Sequence, residues 1–102
     1  MKRVLAIVKP FRAAETLAGL ARLRAEEILA CEAHGYGRQK DRLARYRRTE
    51  YHAAHLPKIE FRLHCPDDAV EDAVVAIVAA ARDGAVGSGK IFVIPCLGVV
   101  DV

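Results

Sequence analysis

Nothing in this 102-residue chain approaches the run of about 20 apolar residues that a membrane helix needs. Met1-Lys2-Arg3 opens like a signal peptide, but Lys9 and Pro10 cut the apolar stretch short. A cytoplasmic protein without membrane insertion is therefore expected. Charge of one sign is also lacking. Sixteen Lys+Arg against 13 Asp+Glu leave a formal charge of +3, too weak a bias to argue for nucleic acid. Cys31, Cys65 and Cys96 are odd in number, and no Cys-x-x-Cys occurs. Neither a zinc site nor a redox dithiol is signalled. Small buried hydrophobes are the expected role for the three, with metal ligation or a regulatory disulfide as the alternatives. There is no Cys-His pair, carboxylate dyad or metal-ligand spacing, so no enzyme and no metal site are expected. Repeats, linkers and low-complexity segments are missing too. What remains is 53% hydrophobic and 28% charged residues, one domain's worth of chain with a core able to fold unaided.

The first apolar run, residues 2–9, is β-branched and stopped by Pro10, which predicts a strand. Over 12–24, Ala13, Leu17, Leu20 and Ala21 recur at helical spacing and predict an amphipathic helix. A second strand is expected over 28–34, running into Gly35-Tyr36-Gly37. Residues 38–55 crowd six arginines and lysines together with few large aliphatics. A long polar insertion of this kind in a small domain reads as a functional or disordered loop. Strand three is the clearest periodic segment. Ile59, Phe61, Leu63 and Cys65 alternate with Lys58, Glu60, Arg62 and His64, so the first set should pack under helices. The second set needs water, a ligand or a partner subunit. Pro66-Asp67-Asp68 opens a second helix with Val70, Val74, Ile77, Val78 and Ala81 as its buried stripe. Residues 83–89 form a glycine-rich loop, 90–94 a strand, and 97–102 a final short strand. The order β-α-β, long loop, β-α-β predicts an α+β ferredoxin-like sandwich. The bare face of its sheet predicts oligomerisation.

Two glycine segments carry chemistry. In Gly84-x-x-Gly87-Ser88-Gly89-Lys90 the glycines let backbone N–H groups approach a phosphate, and the lysine adds charge. A strand follows rather than precedes it, so it is not a Walker A loop. Gly35-x-Gly37-Arg38-Gln39-Lys40 is a second pair followed by donors. Either alone is an ordinary turn; both at strand ends in one short chain are more suggestive.

At these residues the chain resembles the PII nitrogen-regulatory signal proteins. The segments that carry the likeness are Ile7-Val8-Lys9-Pro10-Phe11, Gly35 to Lys40, Tyr46-Arg47, Glu50-Tyr51, Leu56-Pro57-Lys58 and Gly87 to Val93. It covers residues 1–102 as a single PII-like domain. The resemblance implies a homotrimer that binds an adenine nucleotide, ADP or ATP with AMP also admitted, in clefts between subunits. Magnesium would accompany ATP. A T-loop over about 37–55 would dock on an unidentified target protein. Ile7, Gly35, Gly37, Gly87, Ser88 and Gly89 would line the nucleotide, with Arg38, Gln39 and Lys90 beside it, and Gln39 and Lys58 would serve a small anion or 2-oxo acid. From the residues alone, His64 on the polar face of strand three is a further candidate contact of the nucleotide, and Lys40 and Arg62 are further candidates for the anion. Tyr51 matches a tyrosine that some relatives modify.

Several residues depart from the family pattern. Arg48-Thr49 replaces a small pair, so the loop should adopt other shapes and modification of Tyr51 is not expected. Asp83, Ala85 and Ser88 stand where Thr, Lys and Asp are usual, and Asp101 occupies the place of a phosphate-binding arginine. A carboxylate there should weaken the preference for a triphosphate. Arg62 and His64 are unusual as well. They favour a divergent sensor of adenylates and a different anion, such as bicarbonate in a carbon-fixation or transporter setting. The alternative is a standard nitrogen regulator sensing ATP, ADP and 2-oxoglutarate. Against both stands a small hydrolase of similar fold, which no residue pattern supports.

Overall fold

A computed structural model describes residues 1–25, 27–35, 56–84 and 89–102, with the side chain of Leu56 excepted. The order is β1 (Lys2–Val8), a 3-10 turn (Pro10–Arg12), α1 (Ala13–Leu20), β2 (Ile28–Gly35), β3 (Leu56–Cys65), a 3-10 turn (Asp67–Ala69), α2 (Val70–Ala81) and β4 (Gly89–Pro95). The strands form one antiparallel sheet in the order β2-β3-β1-β4, with α1 and α2 packed together on one face. This is the ferredoxin-like α+β sandwich. The expected loop over 37–55 lies outside the described residues. Among the described residues no helix is long and apolar enough to cross a membrane.

The alternation read in strand three sets the layers. Phe61, Leu63 and Cys65 are buried under the helices beside Val4, Ala6 and Val8 of β1, and Ile59 packs at the margin. Each ladder partner shares a face, so Val4↔Leu63 and Ala6↔Phe61 continue one apolar layer across two strands. The other face stays open. It carries Leu5, Ile7, Leu29, Phe92 and Ile94, and the last three are exposed.

The helices depart from the expected faces. In α1 the inward row is Ala13, Thr16 and Leu20, while Leu17 is exposed. Thr16 is tolerated inside because its hydroxyl donates to the Arg12 carbonyl at 2.8 Å. The helix ends at Leu20 rather than 24, because the chain turns there through a Leu23 N–H to Leu20 O bond of 3.0 Å. That turn tucks Leu23 and Ala25 against the core. In α2 the deepest row is Ala73, Ile77 and Ala81, continued by Ala69 of the preceding 3-10 turn, with Val70, Val74 and Val78 half-buried at its flanks. Small side chains bring the helix backbone close to its neighbours.

Two further expectations are corrected. The segment 97–102 forms no strand, and Leu97, Val100 and Val102 are almost wholly exposed. Among the described residues the backbone bonding of this segment to the sheet ends with the Cys96 N–H to Met1 O bond, and a strand without a partner leaves its backbone groups to water. Of the three cysteines only Cys65 is buried. Cys31 is exposed on edge strand β2, and its thiol donates to Glu60 Oε2 at 3.4 Å.

That Glu60 carboxylate also accepts from Arg62 Nε at 2.8 Å and lies 2.7 Å from Arg62 Nη2. The bond from Arg62 holds the Glu60 carboxyl below the usual carboxylate range. Burial opposes this, and the Cys31 thiol and the charges of Arg62 and Arg3 reinforce it. The hydrogen bond to Glu60 raises the Cys31 thiol in turn.

Two outcomes follow for stability. A Cβ built on Gly89 would stand 2.6 Å from the Ile7 carbonyl oxygen, a backbone atom that cannot rotate away. Gly89→Ala should therefore lose about 1–3 kcal/mol and lower the thermal midpoint by more than about 4 °C. An unchanged midpoint by circular dichroism overturns this. A carboxyl held low in the folded state stabilises above its unfolded value and ceases to do so as the pH falls through the folded one. Glu60→Gln should accordingly melt below the wild type at pH 7, and the gap should close on acidification to about pH 3. A gap that stays constant with pH would show that the charge plays no part.

Candidate functional site

One end of the sheet collects most of the described residues expected to bind. The registry sets this. Ile7 pairs with both Glu60 and Lys90, Val8 with both Ile59 and Gly89, and Gly35 with Leu56. The C-terminal ends of β1 and β2 therefore lie at the same edge as the N-terminal ends of β3 and β4. Ile7, Gly35, Lys58, Gly89 and Lys90 share that end. Gly35 and Gly89 occupy opposite outer strands, three strand spacings apart and staggered by three residues along the ladder, about 17 Å in all.

The centre of this end is a charged niche that sequence reading did not find. Lys9 follows β1, and its ammonium donates to Asp83 Oδ2 at 2.8 Å, with both side chains largely buried, at 15% and 14% exposure. The same ammonium lies 5.8 Å from the centre of the Phe11 ring. Lys58, at the start of β3, retains only 9% of its surface. Burial lowers its ammonium's affinity for the proton, and the Lys9 charge lowers it further, while Asp83 opposes both. Two lysines thus share the field of one carboxylate in a poorly solvated setting. Asp83 is carried there by the chain leaving α2, and Gly84 turns that chain at φ 81°, where a glycine is at ease.

A cavity of about 320 Å³ opens on the helix side of the same end, between the last turn of α2 and the start of β4. Val8, Ile77 and Ala81 supply apolar wall, and Arg82 and Lys90 supply cations. Its volume lies in the range of small-molecule pockets.

Other expected residues are not brought here. Arg62 lies four positions along β3 from Lys58, about 14 Å at strand rise, and His64 six positions, about 20 Å. Arg62 is engaged by Glu60, and His64 pairs across the ladder with Arg3 at the far end of β1. Gly37, Arg38, Gln39, Lys40, Tyr51, Gly87 and Ser88 lie outside the described residues. Among the described residues no group of three or more His, Cys, Asp and Glu is placed to hold a metal.

The donor set suits a phosphate or a carboxylate. Lys9 is paired with Asp83, Lys58 lies in the field of both, and Lys90 sits on the β4 side of the rung that Ile7 shares with Glu60. A magnesium ion would enter with a triphosphate, which supplies most of its ligands, rather than be held by the protein alone. Lys9 and Asp83 were missed because their contact joins residues 74 apart. The unusual Asp83 beside a glycine loop was the one signal available.

Comparison with known proteins gives the family. A family model described as Nitrogen regulatory protein P-II matches residues 1–102. A Nitrogen regulatory protein P-II of Rhizobium etli is 42% identical over 93 residues, which is 91% of this chain and 83% of that protein. One from Azospirillum brasilense is 41% identical over 102 residues, covering 100% of this chain and 91% of the relative. Nitrogen regulatory protein P-II 1 of Escherichia coli is 36% identical over the same 102 residues, again 91% of its length. With the family pattern matched from end to end and the ferredoxin-like sheet in place, this chain belongs to the nitrogen regulatory protein P-II family.

Proposed function

We propose that this protein is a nitrogen-regulatory sensor. It binds ATP or ADP between the subunits of a homotrimer, takes 2-oxoglutarate as second ligand, and passes the result to a target protein through its loop over 37–55. The observation that carries this reading is the convergence of Lys9, Lys58 and Lys90 with Gly35 and Gly89 on one end of the sheet. Lysines beside glycine backbone suit an anion that carries several charges. The open apolar face around Leu29, Phe92 and Ile94 supports self-association, because a surface of that kind is unusual on a monomer.

The bicarbonate reading from a carbon-fixation setting has less behind it. It leaned on Arg62 and His64, and Arg62 is turned to Glu60 while both lie well away from Lys58. The relatives' names also speak for nitrogen regulation. In the nucleotide site, Asp101 in place of a cation favours ADP at least as strongly as ATP.

Size-exclusion chromatography and calorimetry test this together. The expected results are a trimer, binding of ADP and of ATP, and binding of 2-oxoglutarate in the presence of ATP and magnesium. Lys90→Gln should weaken nucleotide binding about tenfold or more, equivalent to about 1.4 kcal/mol. A monomer indifferent to ATP, ADP and AMP overturns the reading. A response to bicarbonate but not to 2-oxoglutarate moves the second ligand to the other class.

A further inference from the structure

At the far end of the open sheet face, Arg3 of β1 stands directly opposite His64 of β3 in the ladder, with Ile94 of β4 on its other side. We propose that Arg3 and His64 form a second anion site, which takes one free phosphate ion at the end of the sheet away from the glycines. The inference does not rest on the sensor reading, because it concerns other residues and another ligand.

Alternation fixes the geometry. Val4 and Leu63 pack under the helices, so their chain neighbours Arg3 and His64 project from the opposite face. Side chains directly opposite in an antiparallel pair have Cβ atoms about 5 Å apart, within reach of one small ion. Both residues are partly buried. The Nε of Arg3 is shut from solvent and has no acceptor. Among the described residues, neither side chain makes a hydrogen bond or an ion pair. A buried donor without an acceptor costs stability, and an oxyanion supplies one. Glu60, further along β3 on this face, does not meet the need. It accepts from Arg62 Nε at 2.8 Å and lies 2.7 Å from Arg62 Nη2, and it feels the charge of Arg3 without bonding to it.

The donors set the class of ion. A guanidinium fork takes two oxygens, and the imidazole N–H takes a third. Arg62, two positions along the same face, adds positive field although its own fork is engaged. A carboxylate offers only two oxygens, whereas phosphate offers more of them and a higher charge.

The test is calorimetric titration of inorganic phosphate, with acetate as the two-oxygen control, into the full chain with and without saturating ADP. The wild type should bind one phosphate per chain in both conditions, about tenfold more tightly than acetate. Arg3→Gln should weaken this about tenfold or more, and His64→Leu about threefold or more. Arg3→Lys, which keeps the charge but not the fork, serves where Arg3→Gln folds poorly, with the thermal midpoint as the check, and should lose about threefold. These results support the site. No phosphate bound, a dissociation constant above about 10 mM, equal affinity for acetate, or binding unmoved by the Arg3 and His64 variants overturns it. Phosphate expelled by ADP, with ADP binding itself weakened by Arg3→Gln, assigns the pair to the nucleotide and overturns it as well. A wild type that binds phosphate in this way but no ADP supports the site and defeats the sensor reading alone.

Discussion

β1 lies between β3 and β4 and is hydrogen-bonded to both along its length. Because ladder partners share a face, this double registry decides the side on which residues of three strands project. Val4, Ala6 and Val8 are held against the helices with 0–1% exposure, and Lys9 must then emerge where Asp83 and Lys58 are. A slip of one residue would turn Leu5 and Ile7 inward and take Lys9 off its carboxylate. The core thus sets the charge geometry. Burying side chains such as Phe61, Leu63 and Ile77 contributes roughly 1.5–3 kcal/mol each. The Lys9 charge acts against that of Lys58, and Asp83 offsets part of this.

Much of this was legible in the sequence where a single element's period carries the information. The alternation of β3 placed Phe61, Leu63 and Cys65 inside and the polar set on the other face. The helices were legible as elements, and Leu20, Ile77 and Ala81 fall inside as expected, but Thr16 and Ala73 join the inward rows and Leu17 does not. Hydrophobicity ranks Val74 and Val78 above Ala73, whereas close packing of helix on sheet puts the small residue deeper. Thr16 reads as polar, yet a bond to its own helix satisfies the hydroxyl, and this permits burial. The run Leu97 to Val102 has strand-like composition, but a strand is a property of a pair, and this segment has no ladder neighbour here.

The candidate site was legible in part, for a related reason. Lys58, Gly89 and Lys90 stood out through residue type and spacing. Their neighbours Lys9 and Asp83 did not, because nothing local links positions so distant in the chain. Arg62 is a different case. It was read as an anion contact because the alternation put it on the open face with Lys58. Residues two apart on a strand also share a face, so Glu60 was available to it all along. A cation with a carboxylate two positions away is already answered.

Two of the ion pairs among the described residues lie in different electrostatic settings. Glu60–Arg62 is local, and Arg62 is 43% exposed, so salt and water weaken whatever it does at a distance. Lys9–Asp83 joins two separate elements and is about 85% buried on each side, so its charges act on Lys58 with little screening. A charge brought to the sheet end would therefore be felt more strongly at the buried pair than at the exposed one.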